Sequence, residues 1–211
     1  MTFAREAWPF VLPAALAAVA LAVMRLWLPA VLVVAVAVLL LGFFRVPRRT
    51  SGGDADILLS AADGKVMTVD RIPAPELGEG SFQRVATFLS VFNVHLQRAP
   101  TSGRIVLSQY RPGPKLAAFR VAAADNESHL TAIRRDDGEV IGIRQIAGLL
   151  ARRIVCYLQP EQRIDIGQPL GLIKFGSRVD LLIPDTFEIL VRPGQRVREG
   201  VTPMARRKGA P

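Results

Sequence analysis

Four short stretches hold the side chains with which this sequence could do chemistry: Asp63-Gly64 in SAADGKV, His95 in FLSVFNVHLQRAP, Asn126-Glu127 in ADNESH and Gly176-Ser177 in GLIKFGSRVDLLIP. They supply a carboxylate, an imidazole that titrates near neutral pH, a second carboxylate beside an amide, and a hydroxyl preceded by the residue least restricted in backbone conformation. A serine hydroxyl is a poor nucleophile near neutral pH and needs a base to take its proton. Singly, each stretch has a plain structural reading as well: Asp-Gly forms turns, a lone histidine among strand residues is usually structural, and Gly-Ser sits in loops. No zinc-ligand spacing, phosphate-binding glycine loop, dinucleotide-binding glycine pattern or nucleic-acid motif occurs in the 211 residues, which removes most competing enzyme classes and leaves no metal site to expect.

The elements that must position these residues read as strands. After a polar linker at 50–55, brief apolar runs alternate with turn signals such as PELGEG, PTSGRI, RPGPK, RRDDGEV and RPGQRVREG, a mainly β pattern. Alternation of apolar and polar residues predicts half-buried strands at 138–145 and 187–192, and the one helix of this part is expected at 144–151. Residues 188–204 run strand, Pro-Gly turn, Val-x-x-Gly, strand, and 161–172 form a related piece. Both resemble the half-motifs of lipoyl- and biotinyl-type carriers, which implies a compact β-sandwich; no lysine stands at a hairpin tip, so the likeness concerns fold and not function.

Hydropathy divides the chain. Residues 8–44 contain one charged side chain, Arg25, between apolar runs at 8–24 and 26–44, followed by Arg45, Arg48 and Arg49. About 18 helical residues cover roughly 27 Å, enough for a bilayer core, and Pro9 and Pro29 fall near helix starts where proline is tolerated. The expectation is an N-terminal transmembrane helical hairpin over 1–49 and a second domain over 50–211. The Arg cluster would keep the N-terminus and that domain on the cytoplasmic side of the cell membrane. A cleaved secretory signal fits less well, because the apolar stretch is too long and no small-x-small site follows. Net charge is +9, and residues 50–211 still hold 22 basic against 17 acidic side chains, a balance suited to an anionic membrane surface. The single cysteine, Cys156, excludes an internal disulfide, and its neighbours make it a buried strand residue in a reducing compartment.

As a set and in this order, the motifs Ala-Asp-Gly-Lys-Val, Phe-Asn-Val-His followed by Arg98 and Pro100, Asn-Glu, and Phe-Gly-Ser-Arg-Val-Asp resemble the short form of the phosphatidylserine decarboxylases over nearly all of 50–205. The resemblance implies a proenzyme that cuts itself between Gly176 and Ser177, leaving chains 1–176 and 177–211. Ser177 would attack the Gly176 carbonyl, an ester would replace the peptide bond, and β-elimination followed by hydrolysis would turn the serine into a covalent pyruvoyl group. By family analogy His95 is the base, held and polarised by Asp63, so that Ser177, His95 and Asp63 are the catalytic residues. The pyruvoyl would form a Schiff base with phosphatidylserine and act as an electron sink for loss of CO2, giving phosphatidylethanolamine.

Two positions depart from longer family members, which carry Leu-Gly-Ser-Thr at the cut and a second histidine two residues before the triad histidine; here they read Phe-Gly-Ser-Arg and Asn93. Asn93 can orient or hydrogen-bond but not titrate, and Glu127 is either a second orienting group or a surface acid. His129 is expected at the surface. Arg98, Arg104 and Arg111 are expected to be solvated unless one meets a lipid phosphate, and Arg206, Arg207 and Lys208 to form a flexible basic tail. The rival readings are a non-enzymatic membrane adaptor and a pyruvoyl decarboxylase for another amino-acid substrate. Partners beyond phosphatidylserine, the membrane and the two processed chains reduce to a possible oligomer.

Overall fold

The computed structural model describes residues 2–49, 52, 54–114, 116, 125–148, 153–174 and 177–209. The chain separates into two compact units, Met1–Arg48 and Arg49–Pro211. In the first, helices α1 (Trp8–Val23) and α2 (Trp27–Phe43) are apolar throughout, and the short strands β1 (Thr2–Phe3) and β2 (Arg45–Val46) pair antiparallel. Arg25 takes φ 59° after α1, with Leu26 N donating to Leu21 O and Arg25 N to Ala22 O, the reverse-turn cap that ends many helices, here without the usual glycine. One helix, Arg5–Val23, is long and apolar enough to cross a membrane, at mean hydropathy 1.8; Trp27–Phe43 is a shorter apolar helix.

The second unit is built from strands β3 (Ile57–Leu59), β4 (Gly64–Pro73), β5 (Ser81–Leu89), β6 (Leu96–Arg98), β7 (Gly103–Arg111), β8 (Ser128–Arg134), β9 (Val140–Ala147), β10 (Ile154–Cys156), β11 (Arg163–Ile164), β12 (Pro169–Ile173), β13 (Ser177–Pro184), β14 (Phe187–Ile189), β15 (Arg196–Val197) and β16 (Pro203–Arg207). Eight of them form one antiparallel sheet in the order β11-β7-β8-β9-β13-β5-β4-β15, and β10-β12-β6 and β14-β16-β3 form two smaller sheets. Side chains alternate across the large sheet. Val85, Ile133, Ile143, Val179 and Leu181 enter the main core with residues of both small sheets, while Phe82, Leu130 and Leu182 build a second cluster on the opposite face. β13 is therefore covered on both faces, which is why its apolar residues run on from Leu181 to Ile183 without alternation. Its buried Asp180 is held by Arg178 through two contacts of 2.6 Å.

The two hairpin-like pieces prove to be copies of one another. Glu161 N donates to Ile105 O (2.8 Å) and Ile105 N to Gln162 O (2.9 Å), as Gly194 N donates to Val66 O (2.8 Å) and Val66 N to Gln195 O (2.9 Å). Gly167 N meets Ala99 O just as Gly200 N meets Ser60 O. Leu59 N donates to Pro100 O, and Arg98 N to Ala61 O. These exchanges relate 57–66 to 96–105 by an approximate two-fold axis. Gly64 and Gly103 are equivalent under it, each pairing with the middle of a copy, Val197 or Ile164. A Cβ on either would collide with a backbone carbonyl, that of Phe88 or of Arg134.

Three expectations are corrected. Residues 144–147 are the end of strand β9 and not a helix, because β8 and β13 claim their backbone groups from both sides; 149–151 lie outside the described residues. The strand expected over 187–192 ends at Ile189, since Arg192 and Gln195 close the next turn. The basic tail is structured: Arg206 and Arg207 belong to β16, Arg207 pairs with Asp137, and Lys208 Nζ donates to Asp185 O at 2.7 Å.

Replacing Gly64 or Gly103 by Ala should destabilise the protein by about 1–3 kcal/mol in denaturant titrations of the detergent-solubilised chain. Gly52→Ala, with open space around it, should leave the midpoint unchanged.

Candidate functional site

Ser177 is the first residue of β13 and lies between two register partners, Leu89 of β5 and Ala147 of β9. It shares a face with Val179, so its side chain enters the main core. The residue is fully buried, and its Oγ has no hydrogen-bond partner among the described residues. A buried hydroxyl without a partner is costly in a finished core and suits a group awaiting chemistry. Gly176 lies outside the described residues.

His95 stands just before β6 and is also buried. Its Nδ1 lies 2.9 Å from the Asn93 carbonyl oxygen. A carbonyl only accepts, so Nδ1 carries the proton and Nε2 holds the lone pair of a base. Asn93 thus orients the imidazole through its backbone, while its side chain is spent on the turn, with Oδ1 accepting from Ser90 N (2.9 Å) and Ser90 Oγ (2.7 Å). The His95 backbone is held in turn: its carbonyl accepts from Ile173 N, four residues before Ser177, and from Gln97 Nε2 at 2.8 Å. Gln97 Oε1 accepts from Gln145 Nε2 at 2.8 Å, and Gln145 is the register partner of Val179 on the strand that begins with Ser177. A buried amide chain therefore ties His95 to β9, one of the two strands flanking the serine.

Asn126 and Glu127 meet the same place from the other side. Asn126 Nδ2 donates to Ala147 O (2.7 Å) and Ala147 N donates to Glu127 O (2.9 Å), while the Asn126 amide also grips both backbone groups of Leu116. Glu127 is buried, not a surface acid.

Asp63, at the turn into β4, sits in a cluster of charges that sequence reasoning missed. Arg49 contacts its two oxygens at 2.6 and 2.9 Å, and the Glu199 amide donates to Oδ1 at 2.8 Å. The fully buried Glu199 carboxylate pairs with Arg49 and, at 3.5 Å, with Arg98, which also donates to Gly167 O at 2.8 Å. Burial first, and the charge of Arg49 second, lower the pKa of Arg98. Two cations and two anions thus neutralise one another out of water. Arg49, expected at a membrane boundary, belongs to this cluster, and Arg98 is not solvated. The repeat held the signal: Glu199 occupies the position of the apolar Ile166 in the other copy, and Ser102 Oγ accepts from Ile166 N as Asp63 accepts from Glu199 N. A glutamate at a position that the other copy keeps apolar requires a buried counter-charge.

Other candidates fall elsewhere. His129 is buried in β8 and not at the surface, near Ser108 Oγ and Thr131 Oγ1 at 3.3 and 3.4 Å, and burial lowers its pKa. The reason is parity: its register partner is the core-facing Gln145. Arg104 and Arg111 are exposed and pair with Glu161 and Asp125. Cys156 is half-buried in β10 beside Gly171.

Removing Arg49 by R49M would leave two buried carboxylates facing one cation of the cluster, Arg98, and a loss of about 3–5 kcal/mol is expected from unfolding curves. R49K should recover part of it, because a lysine cannot reproduce the planar fork. His129, whose folded pKa lies below the unfolded value near about 6.5, stabilises fully above that value and progressively less as pH falls through it. Stability should therefore drop between about pH 7 and 5, and H129Q should flatten that part of the profile.

The family model for phosphatidylserine decarboxylase matches residues 36–205. A phosphatidylserine decarboxylase proenzyme of Symbiobacterium thermophilum is 40% identical over 207 residues, covering 96% of this chain and 94% of the relative. Proenzymes of the same name from Paramagnetospirillum magneticum (43% identical; 95% of this chain and 85% of the relative) and Mycobacteroides abscessus (45% identical; 78% and 71%) are similarly close. A match this long, at this identity, spanning every motif of the site, makes the chain a member of the phosphatidylserine decarboxylase family.

Proposed function

We propose that this chain is a self-processing, pyruvoyl-dependent decarboxylase that converts phosphatidylserine to phosphatidylethanolamine and CO2. The observation that carries the reading is Ser177: a fully buried hydroxyl without a hydrogen-bond partner among the described residues, opening a central strand, in a family whose relatives are named proenzymes.

In the maturation step His95 Nε2 takes the Ser177 hydroxyl proton, the oxygen adds to the Gly176 carbonyl carbon, and the peptide nitrogen leaves as the Ser177 amine, giving an ester. Loss of the Ser177 α-proton then expels the Gly176 carboxylate, and water replaces the nitrogen, which departs as ammonia. Asn93 fixes the imidazole through the 2.9 Å contact at Nδ1. Asp63 supplies the negative charge that favours the imidazolium, and Arg49 with the Glu199 amide fixes where that charge sits. The Asn126-Glu127 segment braces Ala147 opposite the new chain end.

Once formed, the pyruvoyl supplies a carbonyl that takes up the lipid amine and accepts the electron pair released with CO2. His95 is the group that returns a proton to the substrate carbon, since Asn93 has none to titrate. The related hairpins act as a lipoyl-like scaffold for this site. The apolar helices of the first unit form a transmembrane hairpin with its arginines, and the decarboxylase unit, on the cytoplasmic side, where a two-chain lipid need only present its headgroup.

Borohydride added during turnover should join the amine of phosphatidylserine covalently to the 177–211 chain and inactivate the enzyme. S177A should yield neither adduct nor CO2, and D63N should slow self-cleavage by about 10-fold or more. An active enzyme that remains uncut and unlabelled would contradict the reading.

A further inference from the structure

Among the described residues, the turn after β5 carries the most exposed aromatic side chain of the second unit. Phe92 is 81% exposed and Val91 41%, two and three residues before the buried segment that holds Val94 and His95. The tip is firmly built: Asn93 Oδ1 accepts from both Ser90 N and Ser90 Oγ, and Asn93 N donates to Ser90 O at 2.9 Å. The same Asn93 holds the His95 imidazole through its carbonyl. A second apolar side chain stands on the other flank. Leu116, 36% exposed, is fastened by Asn126 through contacts of 3.0 and 2.7 Å, and Asn126 is fastened to Ala147. Leu89, from which the first tip departs, and Ala147, to which the second is tied, are the two register partners of Ser177.

We infer that Val91, Phe92 and Leu116 form a surface that enters the outer part of a phospholipid bilayer and sets the end of β13 at headgroup depth. The inference rests on the reading of Ser177 as the reacting position. An aromatic ring on a rigid turn is suited to an interface, because its apolar area is buried in the acyl boundary without loss of loop entropy. A diacyl substrate leaves its chains in that same layer, so a site whose two flanks sit there meets the headgroup with little lifting of the lipid. The bilayer, and not a second protein, is favoured by this match between where the apolar tips lie and where the substrate is found.

The test uses the full chain reconstituted in vesicles. F92S should mature normally, lose about tenfold or more in rate on phosphatidylserine embedded in vesicles, and keep its rate on a dispersed short-chain phosphatidylserine. F92W should restore the vesicle rate, and L190S, at an exposed apolar residue on another strand end, should change neither. Equal loss on both lipids, or no loss on vesicles, would overturn the inference. A second readout is independent of activity: a fluorophore on F92C in a C156S background should be quenched by lipids brominated in their acyl chains, whereas one on L190C should not. Quenching at position 92 in a chain that never matures would support the surface while removing the Ser177 reading, and absence of quenching in an active enzyme would do the reverse.

Discussion

On the proposed reading, the bond before Ser177, the first residue of a strand paired on both sides, has to be cut while the new chain end stays where it is. β13 contacts β5 along its whole length and β9 along most of it, and one face of it closes the main core while the other closes the second cluster. Two-sided pairing keeps a new chain end at Ser177 from fraying, so the same hydrogen bonds that present the serine before cleavage would hold the reactive carbonyl afterwards. The rest of the unit is arranged around that strand: of its two neighbours, β5 leads outward to the His95 turn, and β9 ends at Ala147, which the Asn126-Glu127 segment clamps.

The approximate two-fold relation sets the charged cluster apart, because only one of the two copies carries it. Both copies provide a tight turn, a buried glycine and a side-chain acceptor for an amide of the facing hairpin. In one copy the acceptor is Ser102 and the facing residue is Ile166, a neutral and inert arrangement. In the other copy the two positions are Asp63 and Glu199, and their charge is balanced by Arg49 and Arg98. Such a cluster is not a source of stability compared with an apolar core, because desolvation offsets most of the attraction. Its effect is to fix the Asp63 carboxylate in one place.

How far the sequence could be read follows the same physics. The β-rich character, the two apolar helices and the family were legible, because turn residues, hydropathy and an ordered set of motifs are local signals. The helix expected at 144–151 was a local reading that lost to long-range pairing: Arg144, Gln145 and Ala147 favour a helix by themselves, but β8 and β13 decide their conformation. His129 and Arg98 looked like surface residues because polarity is read one residue at a time, whereas their burial depends on strand parity and on partners 21 and 101 positions away. Arg49 was assigned to the membrane boundary by its neighbours in sequence, and only the fold reveals Glu199 beside it.

The central claim is that the chain remakes itself at Ser177, and the most direct measurement is the intact mass of the purified, active protein. The account predicts two chains, 1–176 and 177–211, the smaller one lighter by one ammonia than a peptide that begins with serine. A single uncut chain of 23.0 kDa from a preparation that still releases CO2 would contradict it.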